Sequence, residues 1–193
     1  MTERPLVVAV TGASGAPYAV RLIEVLAHNR VPTWLLVSSH GQRLLAEECE
    51  ISTIDELKAA TGGDWSSVTH FSDGDRGAKP ASGSVKTRGM VICPCSMGTV
   101  GSIAAGTSRS LIERAADVTL KERRTLVLVP RETPLSLIHL RNLTALTEAG
   151  ATVLPAAPGF YHRPKAIGEL VDFIVQRVLD QLGLEIEVGK RWG

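Results

Sequence analysis

Aromatic side chains are scarce in this chain, at 4% of 193 residues. That leaves little for a base-stacking platform on single-stranded nucleic acid. An excess of either charge is missing too. A formal net charge of +1 gives no electrostatic footprint for nucleic acid or an acidic membrane surface. No apolar run approaches the roughly 20 residues of a membrane span. The opening "MTERPLVVAVTG" lacks the layout of a signal peptide, because its short apolar run leads straight into a glycine turn. Three cysteines, an odd number, argue against a disulfide framework and for a reducing compartment, so the expected setting is the cytoplasm.

What the chain does have is alternation. At 44% hydrophobic it suits a single compact domain over 1–193. Short apolar runs bounded by Gly, Pro and Ser predict buried parallel strands at 6–10, 34–38, 90–94 and 125–130. A weaker strand is expected at 152–156 and an edge strand at 68–71. Helical periodicity falls between them, in "APYAVRLIEVLAHN", "IDELKAAT", "SLIERAADVTLKERR" and "LIHLRNLTALTEAG". A last helix over about 165–183 points Leu170, Val171, Ile174, Val178 and Leu182 inward and stops at Gly183. Strand alternating with helix means a three-layer, doubly wound α/β fold with a mostly parallel sheet, in a Rossmann-like or flavodoxin-like order. The polar, Gly/Ser-rich region 62–88 reads as a long loop, and loops of that length are usually functional or mobile. The tail from about 184 is polar except for Trp192, a large aromatic that either docks on something or is fortuitous there.

In such a sheet, ligands sit at the carboxyl ends of the strands. Five loops qualify: 11–16, 38–43, 94–101, 130–136 and 156–164. The first, "TGASGA", offers backbone N–H groups and the Ser14 hydroxyl where a helix dipole favours an anion. It completes neither G-x-G-x-x-G nor T-G-x-x-x-G-x-G. The second strand ends in Ser38-Ser39 rather than an acid for an adenosine ribose, which counts against a dinucleotide. "YHRPK" has Tyr-x-x-x-Lys spacing, but Pro164 would interrupt the helix such a pair needs. The third loop sets Ser96, Gly98 and Thr99 where a strand turns into a helix; they wrap a phosphate or ribityl chain, or simply cap the helix. Cys93-Pro94-Cys95 lacks C-x-x-C spacing and a second pair, so packing as small hydrophobes is the better reading. Arg131 and Glu132 stand at a strand end before Pro134. Tyr161, His162 and Arg163 join the same edge. Arg114 and Lys121 lie two helical turns apart on one face, either a solvated surface or a pair of cations for a phosphate. The Arg177 stem can pack while its head reaches a pocket.

These segments together resemble the UbiX-type flavin prenyltransferase family. The likeness is carried by "TGASGAPYAVRL", "PASGS", "MVICPCSMGT", "LIERAADVTLKERRTLVLVPRETPLSLIHL", "GATVLPAAPGFYHRP" and the terminal "RW". Only the segment from about 51 to 78 resembles the family weakly. The resemblance implies FMN held by Gly12, Ala13, Ser14, Ser38, the loop of Ser96, Met97, Gly98 and Thr99, and Arg131. It implies a second substrate, dimethylallyl monophosphate, met by Lys121, Tyr161 and Arg177, with Arg114 reaching across a subunit contact. Ser14, Glu48, Glu132 and Trp192 match the family's catalytic positions; Glu50 competes with Glu48, and alignment from "GQRLLAE" favours Glu48. The implied reaction is metal-independent and joins a dimethylallyl group to N5 and C6 of reduced FMN. Its product, prenylated FMN, serves UbiD-type decarboxylases, and family members are homo-oligomers, commonly dodecamers. Two rival functions remain: an FMN-dependent decarboxylase and a non-enzymatic FMN carrier. The "PxMNxxMW" segment of FMN-dependent cysteine decarboxylases occurs nowhere in the chain.

Overall fold

The computed structural model describes residues 4–189. Six parallel strands form one sheet in the order β3-β2-β1-β4-β5-β6. The strands are β1 (Leu6–Val10), β2 (Thr33–Val37), β3 (Val68–Ser72), β4 (Gly89–Cys95), β5 (Thr125–Pro130) and β6 (Thr152–Val153). This order decides between the two expected topologies in favour of the Rossmann-like one. The chain leaves β1 in one direction, then returns through β4 to run in the other, so the switch point lies between β1 and β4.

Among the described residues seven α-helices cover the two faces: α1 (Ala16–His28), α2 (Ser39–Cys49), α3 (Ile54–Thr61), α4 (Met97–Ala104), α5 (Leu111–Lys121), α6 (Leu137–Glu148) and α7 (Ile167–Gln181). Alternate strand residues feed two cores, as the twofold side-chain period requires. Leu6, Val8, Val10, Val91 and Val127 pack with α1, α2, α3 and α7. Val7, Ala9, Met90, Ile92 and Leu126 pack with α4, α5 and α6. β1 and β4 are buried along their whole length, which explains why they read as unbroken apolar runs rather than alternating ones.

Three expectations need correction. Region 62–88 is not a single long loop. It holds the edge strand expected at 68–71, which runs to Ser72 as β3 and pairs along five residues with β2, and a 3-10 turn at Lys79–Ala81. Arg124 then ties down the segment that follows, donating to the carbonyls of Gly83 (2.7 Å) and Val85 (2.9 Å). Loop 38–43 is also largely helical, because α2 begins at Ser39 under the cap of Ser38. Strand β6 covers only Thr152–Val153 of the expected 152–156. Hydrogen bonds to β5 nevertheless continue past it, from Leu154 N–H to the Leu128 carbonyl (2.8 Å) and from Ala156 N–H to the Pro130 carbonyl (2.9 Å).

Candidate active site

The carboxyl ends of β1, β2, β3 and β4 surround a cleft of about 230 Å³, lined by Thr11, Gly12, Ser38, His40, Asp73, Ser96, Thr99, Ser110 and Glu113 among others. Three helices begin there. Ser38 caps α2 by accepting the Gly41 N–H at 3.0 Å. Ser96 caps α4 by accepting from Thr99 at 3.2 Å, and Ser110 caps α5 by accepting from Glu113 at 3.3 Å. Each helix start brings partial positive charge and backbone donors, so the three together suit a phosphate.

Close packing shapes the floor. A Cβ on Gly12 would lie 2.5 Å from Cβ of His40, so only glycine lets this turn pass against the start of α2. Thr11 joins β1 to β4: its hydroxyl donates to the Pro94 carbonyl at 3.0 Å and accepts the Ser96 N–H at 2.8 Å. On the far side, Asp73 accepts from Leu111 N–H through its carbonyl (2.8 Å) and from Ile112 N–H through its carboxylate (2.9 Å).

Beside the cleft, the glycine turn is held from both ends. Glu48 Oε2 accepts the N–H groups of Gly15 and Ala16, each at 2.8 Å, and so caps α1 from a different helix. Gly15 itself sits at φ 124, a conformation glycine tolerates. Arg131 Nε donates to the Ser14 carbonyl at 3.1 Å. Burial pushes the Glu48 carboxyl up, but hydrogen bonds from Gly15, the Ser14 hydroxyl and Ala16, with the Arg131 charge, outweigh it and hold the group below its ordinary 4.5. Glu48 is therefore an ionised anchor, poorly suited to giving up a proton. Glu132 stands exposed next to Arg131 and accepts the Thr133 N–H at 3.1 Å.

The structure brings Gly12, Ala13, Ser14, Ser38, Glu48, Ser96, Met97, Gly98, Thr99, Arg131 and Glu132 to one edge of the sheet. Ala13 and Met97 turn buried side chains away, at 5% and 6% exposure, which leaves their backbone alone to meet a ligand. The remaining cations do not join them as one group. Tyr161 sits edge-on to Phe173 with ring centroids 5.8 Å apart, and Phe173 and Arg177 line one hollow along β6 and α7. Arg114 and Lys121 belong to α5, on the opposite face of the sheet. Arg114 there pairs with Asp117 at 2.7 Å, and Lys121 pairs with Glu122. Trp192 lies outside the described residues. Cys93 and Cys95 are buried, and burial pushes the Cys93 thiol up to about 12, so these thiols stay protonated and act as core.

The sequence reading missed Thr11, His40, Asp73, Ser110 and Glu113. Ser110 and Glu113 carried a legible signal, the S-x-x-E spacing that opens many helices. Asp73 carried none, because its position follows from strand β3 reaching the edge of the sheet.

The family model for flavoproteins matches residues 1–179. The chain is 48% identical over 192 residues to the flavin prenyltransferase UbiX of Halalkalibacterium halodurans, covering 96% of this chain and 92% of that one. It is also similar to the crystal structure of AnUbiX (PadA1) in complex with FMN and dimethylallyl pyrophosphate. That match has 39% identity and a TM-score of 0.91, over 99% of this chain and 98% of that one. A dodecameric FMN-dependent UbiX-like decarboxylase from Escherichia coli is 41% identical, with a TM-score of 0.89, over 98% of this chain and 99% of that one.

Proposed function

We propose, because the chain belongs to the UbiX-type flavin prenyltransferases of the flavoprotein family, that it moves a dimethylallyl group from dimethylallyl monophosphate to N5 and C6 of reduced FMN. The observation that carries this reading is the cleft where three serine-capped helices meet beside the Ser14–Glu48–Arg131 chain. The donor set fits FMN: hydroxyls and helix starts for the phosphate and ribityl chain, and Arg131 at the rim for the ring system.

Reduced FMN supplies nucleophilic positions at N5 and C6, and everything else falls to the chain. Ser38, Ser96, Thr99 and Ser110 hold the flavin phosphate. Glu48 fixes the 12–16 turn and orients the Ser14 hydroxyl toward the reacting groups. Lys121, Arg177 and Arg114 stabilise charge developing on the leaving phosphate, and Tyr161 donates to it. Glu132 takes up the proton released as the new ring closes. The cytoplasm is the proposed setting, in line with three unpaired thiols, and a UbiD-type decarboxylase is the proposed recipient of the product.

The split of the cations between the two sheet faces supports a homo-oligomer in which a neighbour's α5 supplies Arg114 and Lys121. A dodecamer like the Escherichia coli relative is the proposed form. Helix α6 supports it: Leu137 and Ile138 are 61% and 68% exposed, and only Leu146 of this helix is buried.

The test is the mass of the flavin recovered after anaerobic incubation with reduced FMN and dimethylallyl monophosphate. Offering the diphosphate in parallel decides the donor, and the monophosphate is expected to react faster. A second reading, direct decarboxylation, is favoured by the description of the Escherichia coli relative as a decarboxylase. Carbon dioxide release by the purified protein alone would establish it. A simple FMN carrier would leave Lys121 without a role, so loss of turnover on its removal separates carrier from enzyme.

A further inference from the structure

Charge is unevenly placed around the cleft. Among the described residues that line it there is no lysine or arginine, but there are two carboxylates, Asp73 and Glu113. His40 is the one lining side chain that can become a cation. Both acids are tied to the start of α5. Asp73 accepts the Ile112 N–H at 2.9 Å, while Glu113 accepts the Arg109 N–H at 2.6 Å and the Thr107 hydroxyl at 3.2 Å. Burial pushes the Glu113 carboxyl up, but the hydrogen bonds from Arg109 and Ser102 outweigh it and hold the group below its ordinary 4.5. It is a fixed negative charge at neutral pH.

His40 stands in the other layer. It is the second residue of α2, whose Leu45 packs in the α1–α7 core, whereas Leu111 and Ile112 of α5 pack in the core on the opposite face. Its root is fixed. The Gly12 backbone comes so near that a Cβ there would lie 2.5 Å from Cβ of His40 and 3.4 Å from its Cγ. The ring beyond is exposed, and among the described residues it has no hydrogen-bond or ion-pair partner. The β1 turn and the start of α4 bring only Thr11, Gly12, Ser96 and Thr99 to the cleft, none of them charged. Further along α2, Arg43 is already paired with Glu47 at 2.6 Å. A phosphate dianion entering the cleft is therefore repelled from the α5 side and drawn to the α2 side. There the imidazole can give it a charge-assisted hydrogen bond beside the Ser38 cap.

We propose that His40 is a further phosphate-binding residue of the flavin cleft, and that its protonation makes the grip on FMN depend on pH near neutrality. This rests on the reading of the cleft as the seat of the flavin phosphate. His40 takes no part in the transfer step. It sets how firmly, and at which pH, the flavin is held.

The test compares FMN with riboflavin, which lacks the phosphate, by fluorescence quenching on the flavin-free full-length protein. The ratio of the two affinities isolates the phosphate contact. His40→Ala keeps the Cβ against Gly12 and removes the ring. It should lower the ratio about tenfold at pH 6.5, with riboflavin binding unchanged within about twofold. In the wild type the ratio should fall about threefold or more between about pH 6.5 and about pH 8.5. That range lies above carboxylate titration, and in it the phosphate is mainly a dianion while histidine loses its charge. His40→Lys, charged throughout, should keep the ratio high and flat. An alanine variant with the wild-type ratio overturns the proposal, and so do equal losses for both flavins, which would mean that the ring merely packs. A wild-type ratio that ignores pH overturns it as well. Wild-type protein that binds both flavins alike would show that the cleft does not seat the phosphate, and the reading of the cleft would fall with the proposal. Preference for FMN that survives in His40→Ala would sink the role of His40 alone.

Discussion

Helices α5 and α6 lie on the same face of the sheet and have similar lengths, yet they are finished differently. The α5 helix buries Leu111, Ile112, Ala115, Ala116, Val118 and Thr119, and its capped start closes one wall of the cleft. The α6 helix buries only Leu146 and exposes Leu137, Ile138 and Leu140, next to the exposed Arg131–Ser136 segment. The flavin half of the proposed site is thus built from one chain's own strand ends and helix starts. The half that would grip an allylic phosphate is divided, with Tyr161 and Arg177 on one face and Arg114 and Lys121 on the other. A site can be complete for one ligand and incomplete for the next, and the exposed face of α6 is the surface on which the proposed completion by a neighbour rests.

The largest expected effect tests the divided half. Lys121→Ala should lower prenylation by about a hundredfold or more, as loss of a charge-stabilising contact does, while leaving FMN binding near normal. Mixing it with an inactive Arg177→Ala protein should recover activity, since some interfaces would then pair an intact Lys121 with an intact Arg177. No recovery after verified subunit exchange would mean that the two residues act within one chain, and the comparison would break.

Charging α6 comes next. Ile138→Asp should dissociate the assembly, read by sedimentation, and reduce turnover about tenfold or more because the cations would no longer be shared. An intact assembly would move the interface elsewhere.

Within the self-contained half, Gly12→Ala should weaken FMN binding about tenfold and destabilise the fold by about 1–3 kcal/mol, since the new methyl meets His40. Fluorescence quenching of the flavin and a thermal melt would read both.

The smallest effect concerns Glu48. Glu48→Gln keeps the shape but loses the charge on the α1 cap, for about 1 kcal/mol or less, because the residue is exposed to screening solvent. The folded carboxyl lies below its ordinary 4.5, so its contribution is full above that pH and fades as acid carries the solution through the lower folded value. The wild type should therefore lose more stability than Glu48→Gln below about pH 4.5. Parallel curves in that range would show that Glu48 is not the anchor of the turn.

Much of the self-contained half was legible in the sequence. The apolar runs at 6–10 and 125–130 appear as strands with the same bounds, because strands covered on both faces are apolar along their buried length, with only the exposed Thr125 polar here. "IDELKAAT" appears as α3 with the same bounds, capped by Thr53. The glycine turn could be read because it combines tight packing with a helix start. Less legible was α2, where "SHGQRLLAEEC" buries only Gly41 and Leu45 and so shows little apolar periodicity. Asp73 was hidden for a different reason, as its place depends on strand order, which no local pattern encodes. The division of the cations was hidden for the same reason: the family resemblance groups Lys121 with Arg177, and only the topology puts them on opposite faces.

The central claim, that this chain alkylates a flavin, is tested most directly by the mass of the flavin recovered after anaerobic turnover with dimethylallyl monophosphate. The account predicts FMN heavier by one dimethylallyl unit, with phosphate released in equal amount. Folded, FMN-loaded protein that returns flavin of unchanged mass would contradict it.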